Sequence, residues 1–220
     1  MKIAILGTGM VGNAIGTKLV QVGHDVAMGS RSATNENATK WATPLGERAQ
    51  PATFADAAAF GEIVFNCTGG SHSMDALKAA GAESLRGKIL IDVANPLQAA
   101  DDGSMIMSFC NTDSLGERIQ KAFPETRVVK ALNTVNCEVM IEPSRVPGDH
   151  NLFICGNDAS AKKEVIKHLG TWFGWKPENI IDLGDITGAR GTEMFLPLWL
   201  RLFQKIVGNP HFNIQVIRER

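Results

Sequence analysis

Lys2-Ile3-Ala4-Ile5-Leu6-Gly7-Thr8-Gly9-Met10-Val11-Gly12 is the stretch on which the fold turns. The run Lys2–Leu6 is almost continuously apolar, as a strand covered on both faces reads. It breaks into a GxGxxG turn, Gly7–Gly12, and passes directly into a helical pattern over Val11–Val22. In that setting each glycine has its own task. Gly7 permits the tight turn, Gly9 lets the backbone approach a pyrophosphate, and Gly12 lets helix and strand pack closely, a small face that Gly16 extends by one turn. The helix start offers free N–H groups and a partial positive charge to phosphates. A glycine-rich turn that binds nothing is the competing reading, and the strand–turn–helix placement weighs against it.

Outward from this turn the pattern repeats. Strands are expected at Asp25–Met28, Ile63–Cys67, Lys88–Val93 and Arg127–Ala131, with a short one near Ala49–Thr53. Helices fit at Ala33–Ala42, Ala55–Phe60, Met74–Ala82 and Leu115–Phe123, the last capped by Asp113-Ser114 and stopped by Pro124. Such alternation predicts an α/β, Rossmann-type, doubly wound parallel sheet with right-handed crossovers. After Val135 the texture changes. Strands at Asn151–Cys155 and Ile180–Leu183 flank a helix over Ala159–Phe173. A nearly all-apolar helix follows over Thr192–Val207, and Phe212–Ile217 alternates like an edge strand. The expected organisation is therefore a dinucleotide-binding domain over 1–135 and a small α+β C-terminal extension over 136–220 packed on it.

The end of the second strand chooses the dinucleotide. A site for NAD would place Asp or Glu there, on the ribose 2′-OH. This chain has Gly29-Ser30-Arg31-Ser32. An acid would repel a 2′-phosphate, whereas two hydroxyls and a planar guanidinium suit it. NADP is the expected cofactor, with a solvated loop arginine as the competing reading. Three more loops reach the same carboxyl edge: Asn66–His72, Ala94–Leu97 and Ala131–Thr134. They are small and polar, suited to lie against a ribose and a flat ring. Asn95 and Asn133 read equally well as turn residues.

Composition removes other classes. With 22 Lys+Arg against 23 Asp+Glu the net charge is −1, so nothing recruits nucleic acid or an anionic membrane. The longest apolar run near the end, Met194–Leu200, is far below the ~20 residues of a membrane span. Ile3–Leu6 is too short for a secretory leader. Cys67, Cys110, Cys137 and Cys155 are scattered, with no metal-ligand spacing, so no metal and a reduced, cytoplasmic chain are expected. GxSxG and HExxH are absent, and with no tyrosine the Tyr-x-x-x-Lys chemistry of many carbonyl reductases is excluded. Of five histidines only His72 falls on a carboxyl-edge loop, so no catalytic residue is assigned.

Gly7–Gly12, Gly29-Ser30-Arg31, Ile91–Leu97 and Val128–Thr134 together resemble the coenzyme F420-dependent NADP oxidoreductases, and the reductase domain of the STEAP metalloreductases is similar. The resemblance spans essentially the whole chain. It implies that Thr8, Gly9, Met10 and Val11 face the pyrophosphate, and that Ser30 and Arg31, beside Ser32, hold the 2′-phosphate. Cys67, Thr68, Ala94, Asn95, Pro96, Ala131 and Asn133 would surround the ribose–nicotinamide end. It further implies that coenzyme F420, or a flavin, stacks over the nicotinamide and exchanges a hydride with it directly. Two features depart from the family pattern: Thr68–Ser73 is rich in glycine and serine, and Ser32 stands where a second basic residue is usual. A small-molecule imine or carbonyl reductase and a non-catalytic NADPH sensor stand as alternatives. The apolar helix over 192–207 is either core or, through Leu198, Trp199, Leu202 and Ile206, the contact of a homodimer.

Overall fold

The structure is a computed structural model that describes residues 1–206 and 208–219. Its strands are β1 (Lys2–Leu6), β2 (Asp25–Ser30), β3 (Ala49–Thr53), β4 (Ile63–Asn66), β5 (Ile89–Asp92), β6 (Leu97–Ala99), β7 (Met105–Met107), β8 (Arg127–Ala131), β9 (Leu152–Cys155) and β10 (Ile180–Asp182). Its helices are α1 (Met10–Gln21), α2 (Glu36–Ala42), α3 (Phe54–Phe60), α4 (Gly70–Ala80), α5 (Ala82–Leu85), α6 (Leu115–Ala122), α7 (Cys137–Ile141), α8 (Ala159–Phe173) and α9 (Ala189–Ile206).

Eight strands form one sheet in the order β10-β9-β8-β5-β4-β1-β2-β3. From β3 to β8 every pairing is parallel, and the order is that of a doubly wound dinucleotide fold. The chain beyond Val135 extends this same sheet. β9 joins β8 antiparallel through Lys130 and Ala131, and β10 then pairs parallel with β9. Strand periodicity divides the core in two. Ile3, Ile5, Met28, Phe65 and Ile91 face one way, onto α1 and α8. Ala4, Leu6, Val64, Leu90 and Val128 face the other, onto Leu77 of α4 and Ile119 of α6. The continuous apolar runs are thus two interleaved period-2 patterns, each with its own layer of helices.

Two expectations are corrected. Phe212–Ile217 is not a strand: it lies along Asn151, which donates its N–H to the Ile214 carbonyl at 2.9 Å and accepts the Val216 N–H on its side chain at 2.7 Å. The loop expected at Ala94–Leu97 passes at Leu97 into the antiparallel hairpin β6–β7. Val207 and the Ile206 side chain, both expected in the apolar helix, lie outside what is described.

Candidate functional site

Two cavities open beyond the carboxyl ends of the central strands, of about 500 Å³ beside Arg31 and about 460 Å³ beneath α9. They meet at Cys67, Thr68 and Gly69, so together they form one trough across the sheet edge.

The glycine turn forms the middle of the trough. Gly7 has φ +117°, and a Cβ there would come within 2.6 Å of the Cys67 carbonyl oxygen. A Cβ on Gly12 would lie 2.2 Å from the Gly7 carbonyl oxygen, so both positions are closed to any side chain. At Gly9 a Cβ would meet nothing within 4 Å, because that direction faces the open trough. Asn13 ties the turn down by donating its side-chain amide to the Thr8 and Gly9 carbonyls, each at 3.0 Å. Helices α2, α3, α6 and α8 each begin on a side-chain cap. In contrast α1 begins on Gly9 and α4 on Gly69, neither with a side-chain cap nor with an acid in its first turn. Those two helix starts border the trough, where their N–H groups can meet an anion.

At the far end Arg31 is exposed, and its side chain makes no hydrogen bond or ion pair with any described residue. Ser30 is buried, donates its hydroxyl to the Ser32 carbonyl at 2.6 Å and accepts the Ser32 N–H. It thereby shapes the turn that carries Arg31. Ser32 is exposed and its hydroxyl pairs with that of Thr34 at 2.9 Å. His72 lines this cavity and not the one beneath α9, the ring cavity, where the flat rings are expected.

The ring cavity is floored by the turns after β4, β5 and β8 and roofed by Leu196, Trp199 and Leu200 of α9, with Met105 of the hairpin at its rim. Asn95 and Asn133 exchange bonds: Asn95 Nδ2 donates to the Asn133 carbonyl at 2.8 Å, and Asn133 Nδ2 donates to Asn95 Oδ1 at 3.0 Å. Asn133 Oδ1 and Thr134 Oγ1 are buried without a protein partner, although both residues line the cavity. A buried polar atom left unpaired is costly, so these two oxygens mark where a ligand with N–H or O–H groups fits. Leu132, just before them, has φ +67°, an uncommon strained conformation for a leucine beside a site.

Of the residues expected here, Met10, Val11, Cys67, Thr68, Ala94, Asn95 and Asn133 line the ring cavity. Gly7, Thr8, Gly9, Ser30 and Arg31 line the other. Gly12, Ser32, Pro96 and Ala131 line neither. Among the described residues, no carboxylate, ammonium, guanidinium or imidazole lines the ring cavity. Its ionisable groups are two thiols. Burial, with the Asp92 charge adding to it, pushes Cys67 far above the ordinary thiol range, and burial with Glu138 raises Cys137.

Sequence reading missed the polar frame below the floor. Asp92 accepts from Asn66 Nδ2 at 2.8 Å on one oxygen and from Lys130 Nζ at 2.8 Å on the other. Lys130 also donates to the Ala94 carbonyl and, at 2.8 Å, to Glu193 of α9. Thr68 donates to Asn66 Oδ1 at 2.6 Å, linking the junction of the two cavities to this frame. Asp92 ends an apolar strand and Lys130 lies among the fully buried residues of β8, and a charge there requires a buried partner; that was the available signal.

The family described as NADP oxidoreductase, coenzyme F420-dependent, matches residues 2–96. The F420-dependent NADP reductase of Methanocaldococcus jannaschii is 31% identical over 211 residues, which cover 92% of each chain. A crystal structure from Arthrobacter sp. FB24, provisionally assigned as an F420-dependent NADP-reductase, is 46% identical with a TM-score of 0.91 and covers 99% of this chain and 100% of that one. Rat metalloreductase STEAP3 is 28% identical over 90% of this chain, which spans only 38% of the length of that protein. The reductive aminase of Aspergillus terreus, solved with NADPH, shares the fold at 19% identity and a TM-score of 0.65, covering 94% of this chain and 62% of that one.

Proposed function

The chain belongs to the coenzyme F420-dependent NADP oxidoreductase family and is an NADP-dependent oxidoreductase. From that premise we propose that it passes a hydride directly between NADP(H) and a planar second carrier laid face to face in the trough, coenzyme F420 ahead of a flavin. The carrying observation is the lining of the ring cavity, where among the described residues no carboxylate, imidazole or ammonium stands to give or take a proton. Reduction of a carbonyl or imine calls for a proton donor near the reacting atoms. Exchange between two stacked rings calls only for alignment.

Bound NADPH supplies the hydride. The first turn of α1, with Gly7, Thr8, Gly9, Met10 and Val11, would receive the pyrophosphate, and Arg31 and Ser32 the 2′-phosphate. Ser30 would act through the turn it holds, and Gly12 through close packing. Asn133 and Thr134 would accept from the ring's polar substituent with the two oxygens that lack partners. Ala94 and Asn95 would set the floor, with Pro96 and Ala131 behind it. Leu196, Trp199 and Leu200 would exclude water and press the second ring onto the first.

On the same reading, residues 1–135 bind the dinucleotide and 136–220 supply the roof, in the cytoplasm. Among the described residues no helix is long and apolar enough to cross a membrane. Leu198 is 54% exposed and Leu202 half-buried, which supports a homodimer through α9. Trp199 is spent within the chain, stacked between Phe203 and Phe212 at 5.6 and 5.1 Å. Light scattering at micromolar concentration tests the dimer, and a monomer removes it.

The function is tested by mixing the protein and NADPH with F420, FMN, FAD, a ferric chelate or a cyclic imine. Coupled loss of NADPH and F420 absorbance is expected. Turnover of the imine alone would make it an imine reductase. Tight NADPH binding with no oxidation by any acceptor would make it a sensor.

A further inference from the structure

Lys130 is fully buried in β8, and its ammonium is absent from both cavities. Its three protons meet three acceptors: Asp92 Oδ2 of β5, the Ala94 carbonyl and Glu193 Oε1 of α9. With every proton committed it has none to give a substrate, so its place in the reaction is not that of an acid. Although burial opposes its charge, the Asp92 and Glu193 carboxylates together hold the ammonium above the ordinary lysine range.

Both carboxylates are completed by neutral donors. Asp92 Oδ1 accepts from Asn66 Nδ2 and from the Ala94 N–H at 3.2 Å. Glu193 accepts the N–H groups of Leu115 at 2.8 Å and Gly116 at 3.1 Å, the first two of α6, while Ser114 takes the third at 3.2 Å. The helix dipole at that end favours the Glu193 anion. One buried ammonium thus joins the floor of the ring cavity, at Ala94, to its roof, through Glu193.

The position of Glu193 along α9 gives this link a consequence. Residues 193, 196 and 200 are spaced i, i+3 and i+7, so they share one face of the helix. Leu196 and Leu200 are roof residues. Four residues after Glu193, Pro197 lies inside α9 and has no N–H to return to the Glu193 carbonyl. The backbone ladder is therefore weakest where the roof begins, and side-chain anchoring must fix the height and rotation of the roof.

We propose that Lys130, through Glu193, is a positioning residue that sets the separation of the two rings by clamping the roof helix α9 to the Val93–Asn95 floor. This rests on the ring-to-ring reading above. Its own content is that breaking the clamp loosens the roof and slows transfer while leaving the dinucleotide end intact.

The test uses Glu193→Gln, which keeps the volume and removes the charge, and Lys130→Met, which removes the ammonium. Two readouts are taken. In the unliganded proteins, amide hydrogen exchange over residues 195–204 should rise in either variant while exchange across β1 and β2 stays at the wild-type rate. With NADPH bound and F420 saturating, kcat should fall roughly 10- to 100-fold, the loss expected when reacting groups are misplaced by about 1 Å. The NADPH dissociation constant should stay within about threefold of wild type. Should Lys130→Met not fold, Glu193→Gln carries both readouts. Unchanged exchange over 195–204 in Glu193→Gln overturns the clamp whether or not any acceptor is found. So does a kcat equal to wild type, or a loss of NADPH affinity as large as the loss of rate. A wild-type protein that passes no hydride to F420 or a flavin refutes the ring-to-ring reading instead, and the exchange measurement still decides the clamp.

Discussion

Replacing Arg31 by alanine removes one charge from the end of the trough proposed to take the adenosine, and nothing else that the fold uses. The Arg31 side chain is exposed and bonds to no described residue, so the free protein should keep its stability within about 0.5 kcal/mol. A charge-assisted hydrogen bond to a phosphate contributes about 1.5–3 kcal/mol, a factor of roughly 10 to 100 in the dissociation constant. Exposure places Arg31 at the lower end, near tenfold at physiological salt, and the factor should grow as salt is lowered because the screening length increases. Fluorescence titration of wild type and Arg31→Ala with NADPH and with NADH, at two salt concentrations, reads this directly. NADPH affinity should fall about tenfold and become less sensitive to salt, while NADH affinity stays unchanged. Equal losses for both dinucleotides, or a wild type that prefers NADH, would refute the 2′-phosphate reasoning.

Three further outcomes follow from other parts of the site. Gly12→Ala would place a Cβ 2.2 Å from the Gly7 carbonyl oxygen and 3.2 Å from Ile5, so the turn must shift; a loss of about 1–3 kcal/mol in thermal unfolding, with NADPH binding weakened, is expected. Thr134→Val removes a buried hydroxyl that has no partner; the free protein should gain up to about 1 kcal/mol by denaturant titration while NADPH binding or turnover declines, and a parallel loss of both would mean the hydroxyl serves the fold. His24 and His168 pack on Trp172, with ring centroids at 5.1 and 4.1 Å. Burial holds both below the ordinary histidine range, aided at His24 by the chain's amino terminus and opposed at His168 by Glu164. With folded values below the unfolded 6.5, the unfolded chain takes up protons first. The stability they contribute is then present above pH 6.5 and lost as pH falls from there through the lower folded values, so the melting temperature should drop toward pH 5 and His168→Gln should flatten that slope.

Much of this architecture is legible in the sequence because a sheet covered on both faces leaves long apolar runs, as in Ile3–Leu6 and Ile89–Ile91. Ala49–Thr53, with Pro51 and Gln50, is weakly strand-like yet forms β3, since an edge strand tolerates proline. The direction of β9 could not be read, because strand periodicity is the same in either sense. The β6–β7 hairpin is hidden in Ala99–Ser104, where turn residues outweigh two three-residue strands. Arg31 and the glycine turn are visible because their chemistry is local. The clamp of Asp92, Lys130 and Glu193 is not, because its members stand 38 and 63 residues apart and meet only when β5, β8 and α9 are assembled. Thr134 reads only as one residue of a polar carboxyl-edge loop and Trp199 only as core or dimer contact; the unpaired hydroxyl of the one and the stacking of the other on Phe212 depend on elements brought from elsewhere in the chain.

The most direct measurement follows an isotope. NADPH carrying deuterium on the transferring face of its nicotinamide is mixed with the protein and oxidised F420, and the reduced carrier is examined by mass spectrometry. A cavity without a proton relay predicts that the deuterium arrives in the carrier undiluted by solvent. Deuterium released to water, or NADPH consumed with the carrier left unlabelled, would contradict direct transfer between stacked rings.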